Sequence, residues 1–366
     1  PGRPSGSWLM LLLLLAVLVP SVCLLWFMNQ AVHNERLAVR QKLAEAYRVN
    51  LSLVQTLLDA WCHQTAAALD AEAGRLSPSA LFANVILIGL ADAAICYDAT
   101  GAVRYPASAP APVPELVSDA WAAAERLEIA SPADAAAAFA HLAQAAGDSN
   151  SAARALQAQA RCLVKAGKTN AALTILTTTL EEARFRGATD AQGRLLVPSA
   201  ELMALELLLA SAPDQARRTF ERLRPRVLDY DDPALPAAQR RFLMRQLLRS
   251  FPDAAVARML AAEELAARSL EAGLKAATDS SLHAAAAAGV WQMTASRGRV
   301  VALHQADALQ SRLRGAVSPQ LLPAGVTLSF LPPGKEIERA FLSVPAGTNL
   351  PGWRLALSLD GQRLFD

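Results

Sequence analysis

The 366 residues carry 35 Lys and Arg against 33 Asp and Glu, a net charge of +2, so the chain has no basic field with which to hold nucleic acid. No RNA-binding signature, zinc-finger spacing or basic helix appears, and a nucleic-acid partner is excluded on those grounds. The hydrophobic fraction of 53% lies slightly above the usual globular range, an excess that one membrane span partly explains.

In chain order the first element is an anchor, residues 1–28. "WLMLLLLLAVLVPSVCLLWFM", Trp8 to Met28, holds no charge and reaches roughly 30 Å as a helix, the thickness of a bilayer's hydrocarbon core. Trp8 and Trp26 stand near its ends, where amphipathic rings favour the interface, and Pro20 is tolerable in a membrane helix. A cleaved signal peptide would have a shorter apolar region and a small-x-small exit, whereas "LLWFMNQAVHNE" is bulky throughout. Cys23 lacks the small preceding residue of a lipoprotein site. Arg3 before the span and Arg36, Arg40 and Lys42 after it would place the long region in the cytoplasm. The chain starts at Pro1 without a methionine, however, so a flank that would enter this count is expected to be missing.

Residues 29–75 read as a helical rod. Leu37, Ala44, Leu51 and Leu58 recur every seven residues, as do Tyr47, Val54 and Trp61, a credible a/d seam. The interface expected for a homodimer is therefore Tyr47, Leu51, Val54 and Leu58. The competing reading is an amphipathic helix packed on its own domain.

Residues 76–115 change character. Ala94–Asp98 and Ala102–Tyr105 read as short strands around "DATG", with Gly101 at the turn, followed by the proline-punctuated linker "PASAPAPVP". Residues 116–288 are alanine-rich and helical. In "ARALQAQARCLVKAGKTNAALTILTTTL", Leu156, Ala160 and Leu163 face inward on one helix and Ala172 and Leu176 on the next, at the small and large positions of a tetratricopeptide unit. Ala138 and Leu142 precede Ala172 and Leu176 by that repeat's period. Ala204, Leu207, Ala216 and Phe220 repeat the arrangement beyond the "FRGATDAQGRLLVP" insertion. "QRRFLMRQLLRS" and "DAAVARMLAAEELAARSL" form a further pair, and an irregular bundle is the alternative.

Strands return over 289–366: a hairpin in "GVWQMTASRGRVVALH" turning at 296–298, a short helix in "DALQSRLR", then "GVTLSFLPPG", "AFLSVPAG" and "PGWRLALSLDG". In the last, Trp353, Leu355, Leu357 and Leu359 share one face. A lone hairpin is marginal, so the early hairpin at 94–105 and these late strands, the final one included, are expected to close one sheet, with the helical block inserted between its halves. The fold class is thus α+β, mostly α, with a mixed or antiparallel sheet split by a helical insertion.

No catalytic cluster emerges. His33, His63, His141, His283 and His304 show no metal spacing, and HExxH, GxSxG, P-loop and dinucleotide motifs are absent. No cofactor or metal is expected. Cys23, Cys62, Cys96 and Cys162 are too scattered for a disulfide framework and read as small apolar residues; a Cys62–Cys96 bridge is the one conceivable pairing. The acidic pairs Glu181-Glu182, Asp231-Asp232 and Glu263-Glu264 read as solvated. Arg104 and Tyr105 on the first hairpin, with Trp291 and His304 on the later one, are the candidate ligand-binding residues, because an aromatic beside a few directed polar groups is a typical lining.

An apolar span, a rod, "YDATGAVRYP", a helical block, "GRVVALHQADAL" and a terminal "LPGWRLALSL" together resemble the extracytoplasmic sensor region of bacterial membrane-bound sensor histidine kinases, with a Cache/PAS-like sheet. No single motif is diagnostic, and the repeat-like insertion departs from a plain Cache domain. The resemblance implies a chain truncated before the kinase core, since no phospho-acceptor box or ATP-binding boxes occur. It also implies a bulk outside the bacterial inner membrane, a homodimer, and a small-molecule or protein stimulus that shifts the membrane helices. The alternative is an anchored tetratricopeptide-like scaffold that holds a protein partner in the cell envelope.

Overall fold

The computed structural model describes residues 6–106, 118–232, 234–295, 298–317, 321–323, 325–335 and 340–359, without the side chains of residues 6–13 and 17. The linker after Pro106 and the hairpin tip at 296–297 lie outside the described residues. The chain is α+β and mostly α. It forms two compact units, Pro1–Trp61 with Gln310–Asp366, and Cys62–Leu309.

Helix α1 (Gly6–Ala73) is 68 residues long and unbroken at Pro20. Its N-terminal part is long and apolar enough to cross a membrane. The same helix continues through the expected rod and supplies residues to both units.

The first unit holds a three-stranded antiparallel sheet, β6 (Val326–Leu331), β8 (Arg354–Leu359) and β7 (Leu342–Pro345), with β8 in the centre. The expectation that the final strand joins the early hairpin is thus corrected: Leu357 pairs with Leu328 on one side and Leu342 on the other. Its inward residues Leu355 and Leu357, with Trp353 just before it, are buried, so the apolar face read in the sequence is spent on this small sheet.

The rod residues pack in that unit too. Leu51, Val54 and Leu58 are at most 1% exposed within one chain. Tyr47 meets Phe341 edge to face at 6.1 Å, Gln55 donates to the Pro345 carbonyl at 2.6 Å, and Asn349 Nδ2 donates to Asp59 Oδ1 at 3.0 Å. Gly347, at φ +143°, lets the β7–β8 turn approach this aspartate, because a Cβ there would stand 3.0 Å from Asp59 Oδ1. Burial inside one chain explains the heptad spacing without a second copy.

The second unit holds a five-stranded antiparallel sheet in the order β2 (Val103–Tyr105), β1 (Ala93–Tyr97), β5 (Val300–Gln305), β4 (Val290–Ala295), β3 (Leu282–Ala284). The two sequence-distant hairpins meet at β1–β5, where Ala94 faces Ala302 and Cys96 faces Val300. Helix α2 (Pro78–Leu87), capped by Ser77, packs on this sheet, and the sequence reading missed both it and β3.

Between the halves run α3 (Asp119–Ala130), α4 (Pro132–Ala145), α5 (Ser149–Lys165), α6 (Thr169–Thr174, extended by a π-helical turn to Thr179), α7 (Leu196–Leu209), α8 (Pro213–Leu228), α9 (Ala237–Ser250) and α10 (Ala254–Glu271). Ala160, Ala172 and Leu176 are wholly buried and Leu163 nearly so, while Leu156 is half-buried. The block has two cores. Residues of α3–α7 form one around Phe139 and Phe185. Residues of α7–α10 share the other with α2, the sheet and Leu69 near the end of α1.

Candidate functional site

The unusual chemistry of the second unit gathers around Glu263. On α10 the apolar register runs Val256, Met259, Leu260, Glu263, Ala266, all buried, so the helix turns this carboxylate into the core as it would a leucine. Glu263 is 0% exposed. Its neighbour Glu264 faces outward and pairs with Arg245 at 2.7 Å. The reading of Glu263-Glu264 as a solvated pair therefore fails for its first member.

Two phenols stabilise the buried carboxylate. Tyr105, the last residue of β2, donates to Glu263 Oε1, and Tyr230, just past α8, donates to the same oxygen at 3.1 Å. Arg241 Nη1 stands 3.8 Å from Oε2. Phe82 of α2 contacts both tyrosine rings, with centroids 4.9 and 5.6 Å away. Burial pushes the Glu263 carboxyl above its ordinary range, against the lowering effect of the Tyr105 hydrogen bond. Burial first, and then the Glu263 charge, hold both phenols well above theirs.

Arg240 is the second buried charge, at 0% exposed. Its Nη1 donates to the carbonyls of Val227 at 2.7 Å and Asp229 at 2.8 Å, satisfying the last turn of α8. Its guanidinium lies over the Tyr230 ring at 4.1 Å. Nε has no hydrogen-bond partner, and no described carboxylate comes within the 4 Å of an ion pair.

A pocket of about 260 Å³ opens beside this cluster. Ser77, Pro78 and Ser79 at the start of α2 form one wall, with Arg104 and Tyr105 from β2. Asp231, Asp232 and Leu235, from the α8–α9 connection, and Arg240 complete it. No family model, curated protein or solved structure matches the chain. The site therefore has to be read from its own chemistry.

The structure gathers two of the four expected ligand residues here. Arg104 is exposed at the pocket rim, 3.9 Å from Asp98, and Tyr105 reaches inward. Trp291 and His304 are buried cross-strand partners on β4 and β5. Two strands separate β4 from β2, about 14 Å across at the usual spacing, and neither residue lines this pocket. Tyr47, Leu51, Val54 and Leu58 belong to the other unit. Among the described residues no group of three or more His, Cys, Asp or Glu is placed to hold a metal ion, and none of the four cysteines is joined in a disulfide.

Sequence reasoning missed Glu263, Tyr230, Arg240 and Ser79. Only Glu263 left a signal, a carboxylate falling in an apolar helical register; the others depend on which loops the fold brings together.

Proposed function

We propose that the chain is the membrane-anchored, extracytoplasmic sensing module of a two-component sensor histidine kinase, in which occupancy of the pocket beside Tyr105 biases the membrane helix. One observation carries the reading. The pocket residue Tyr105 and its partner Tyr230 share a core with Leu69 of α1, and α1 is one uninterrupted helix back to the apolar segment. A stimulus that tightens or loosens this core acts on a rod rather than on a flexible linker, as a two-state signal requires.

Reporter fusions test it. A phosphatase joined after residue 106 should be active only if this region lies outside the inner membrane, and cysteines placed along residues 30–45 should cross-link between copies in membranes. A cytoplasmic reporter pattern, or no cross-link at any position, would defeat the sensing reading.

The scaffold reading has one observation in its favour, a groove of about 580 Å³ between α4, α5 and the Arg184–Phe185 turn. A partner protein held there should be lost on replacing Gln144 and Gln159 with bulky residues, with the Tyr105 pocket untouched.

A further inference from the structure

We infer that Glu201, with Glu181, Arg222 and Arg226, forms a proton-operated joint between the two helical cores, shut while Glu201 carries a proton and loosened when it ionises. Such a joint would serve a sensor or a scaffold equally, so it does not rest on the sensing reading.

The place follows from α7, which lines both cores. Val197, Ala200 and Ala204 face the first, and Leu202, Leu205 and Leu208 face the second. Glu201 falls between the two stripes at helical spacing and is wholly buried. Arg222 and Arg226 reach it from α8, a helix of the second core, with Arg222 Nε at 3.7 Å and Arg226 Nη2 at 3.5 Å. Arg222 Nη1 continues to Glu181 Oε1 at 3.0 Å. Glu181 directly follows Leu180 of the first core and stands between Thr179 and Arg184, which both border the groove beside α4 and α5. The charges therefore cross from one core to the other.

The switching follows from what Glu201 lacks. Neither of its oxygens accepts a hydrogen bond from a described residue, so the ionised carboxylate has only two guanidiniums at a distance to offset its burial, and Glu181 opposes them. A buried charge held this way is costly, and a proton removes the cost. The other elements packed on α7 add no charge to the site. On α9, Arg240 is tied to the carbonyls of Val227 and Asp229, while Arg241 and Arg245 pair with Glu263 and Glu264. On α5, Arg161 and Lys165 are held by Glu128, and Arg154 donates to the Thr189 carbonyl. Helix α6 carries no charged residue, and Glu206 of α7 itself is exposed. Burial raises the Glu201 carboxyl from 4.5 to about 7. The shut joint thus holds its proton more tightly than water-exposed Glu201 would, and a rise in pH through about 7 favours the arrangement that admits water between α7 and α8.

The test is hydrogen–deuterium exchange of the full chain in nanodiscs from about pH 5.5 to about pH 8.5, corrected for the intrinsic pH dependence of amide exchange. Peptides from α7, α8 and the turn at Glu181 should lose protection by about threefold or more as pH rises, with a midpoint of about 7, while peptides from α4 and β4 hold steady. Glu201→Gln should keep the joint shut and abolish the transition. The partly exposed partners should move its midpoint in opposite directions, by about half a pH unit or more. Arg226→Gln, which removes a favourable charge, should raise it, and Glu181→Gln, which removes a repulsive one, should lower it. If Glu201→Gln does not fold, these two variants decide. Loss of protection spread evenly over all peptides, a transition that survives in Glu201→Gln, or midpoints that do not separate in the stated order would each overturn the inference. Membrane topology and cross-linking between copies do not enter these profiles, so the joint and the sensing reading fail separately.

Discussion

Single side chains decide the chemistry of this protein, and burial decides theirs. Tyr105 donates to a carboxylate with no access to water, so Tyr105→Phe should cost about 1–3 kcal/mol, the penalty for an under-satisfied buried acceptor, measured as a lower urea midpoint. Two other carboxylates give stability opposite dependences on pH. Glu201, 0% exposed on α7, has Arg226 at 3.5 Å and Arg222 at 3.7 Å, with Glu181 also facing it. Burial pushes its carboxyl from 4.5 to about 7. The folded state thus binds this proton more tightly, and the stability it contributes is full below pH 4.5 and is lost as pH rises through about 7. Glu201→Gln should flatten the decline in melting temperature across that window. Glu128 accepts from Arg161 at 2.6 and 2.7 Å and from Lys165 at 2.7 Å, and these hydrogen bonds hold it near 2. Its contribution is full above about 4.5 and is lost as pH falls towards 2, so Glu128→Gln should blunt acid unfolding and leave neutral-pH behaviour with little slope from this site.

At the scale of elements, the heptad in α1 shows how far a pattern can be read. Spacing alone marked Leu51, Val54 and Leu58 as a buried stripe, and they are buried. The identity of the covering partner was not in the spacing, because an a/d stripe is equally served by a second helix or by the same chain's sheet. Leu51→Ala should therefore destabilise the protein by about 2–5 kcal/mol, with an unfolding midpoint that does not move with protein concentration; a concentration-dependent midpoint would return the stripe to a dimer seam. The α5–α6 hairpin was legible for a local reason. Ala160 and Ala172 are small where two helices cross, and Gly167 turns between them at φ +75°. Helix α2 was not legible, since its ten residues are apolar nearly all round and show no periodicity to distinguish helix from strand.

At the scale of the whole molecule, the sheet joins residues some two hundred positions apart. Marginal stability of an isolated hairpin predicted a distant partner for β1 and β2, and β5 fills that place. The same argument assigned the final strand to the wrong sheet, because it counted strands without knowing that β6 and β7 would satisfy both edges of β8. Val300→Cys tests the long-range pairing directly. Cys96 and Val300 face each other in the ladder, within reach of a disulfide, so mild oxidation should bridge them and shift the gel mobility of the denatured chain. Failure to cross-link would contradict the β1–β5 register.

The amino-acid sequence by itself determined what local physics determines: an apolar segment long enough for a bilayer, helices where small and large residues recur every third or fourth position, and strands where β-branched and aromatic residues run between turns. Only the tertiary structure decided which elements meet, and with that the site. Glu263, Tyr105, Tyr230 and Arg240 lie on four separate segments, and no local preference relates them. They become a cluster because α8–α10 bury their apolar faces against the same sheet that β2 borders, which brings one carboxylate, two phenols and one guanidinium together in the core.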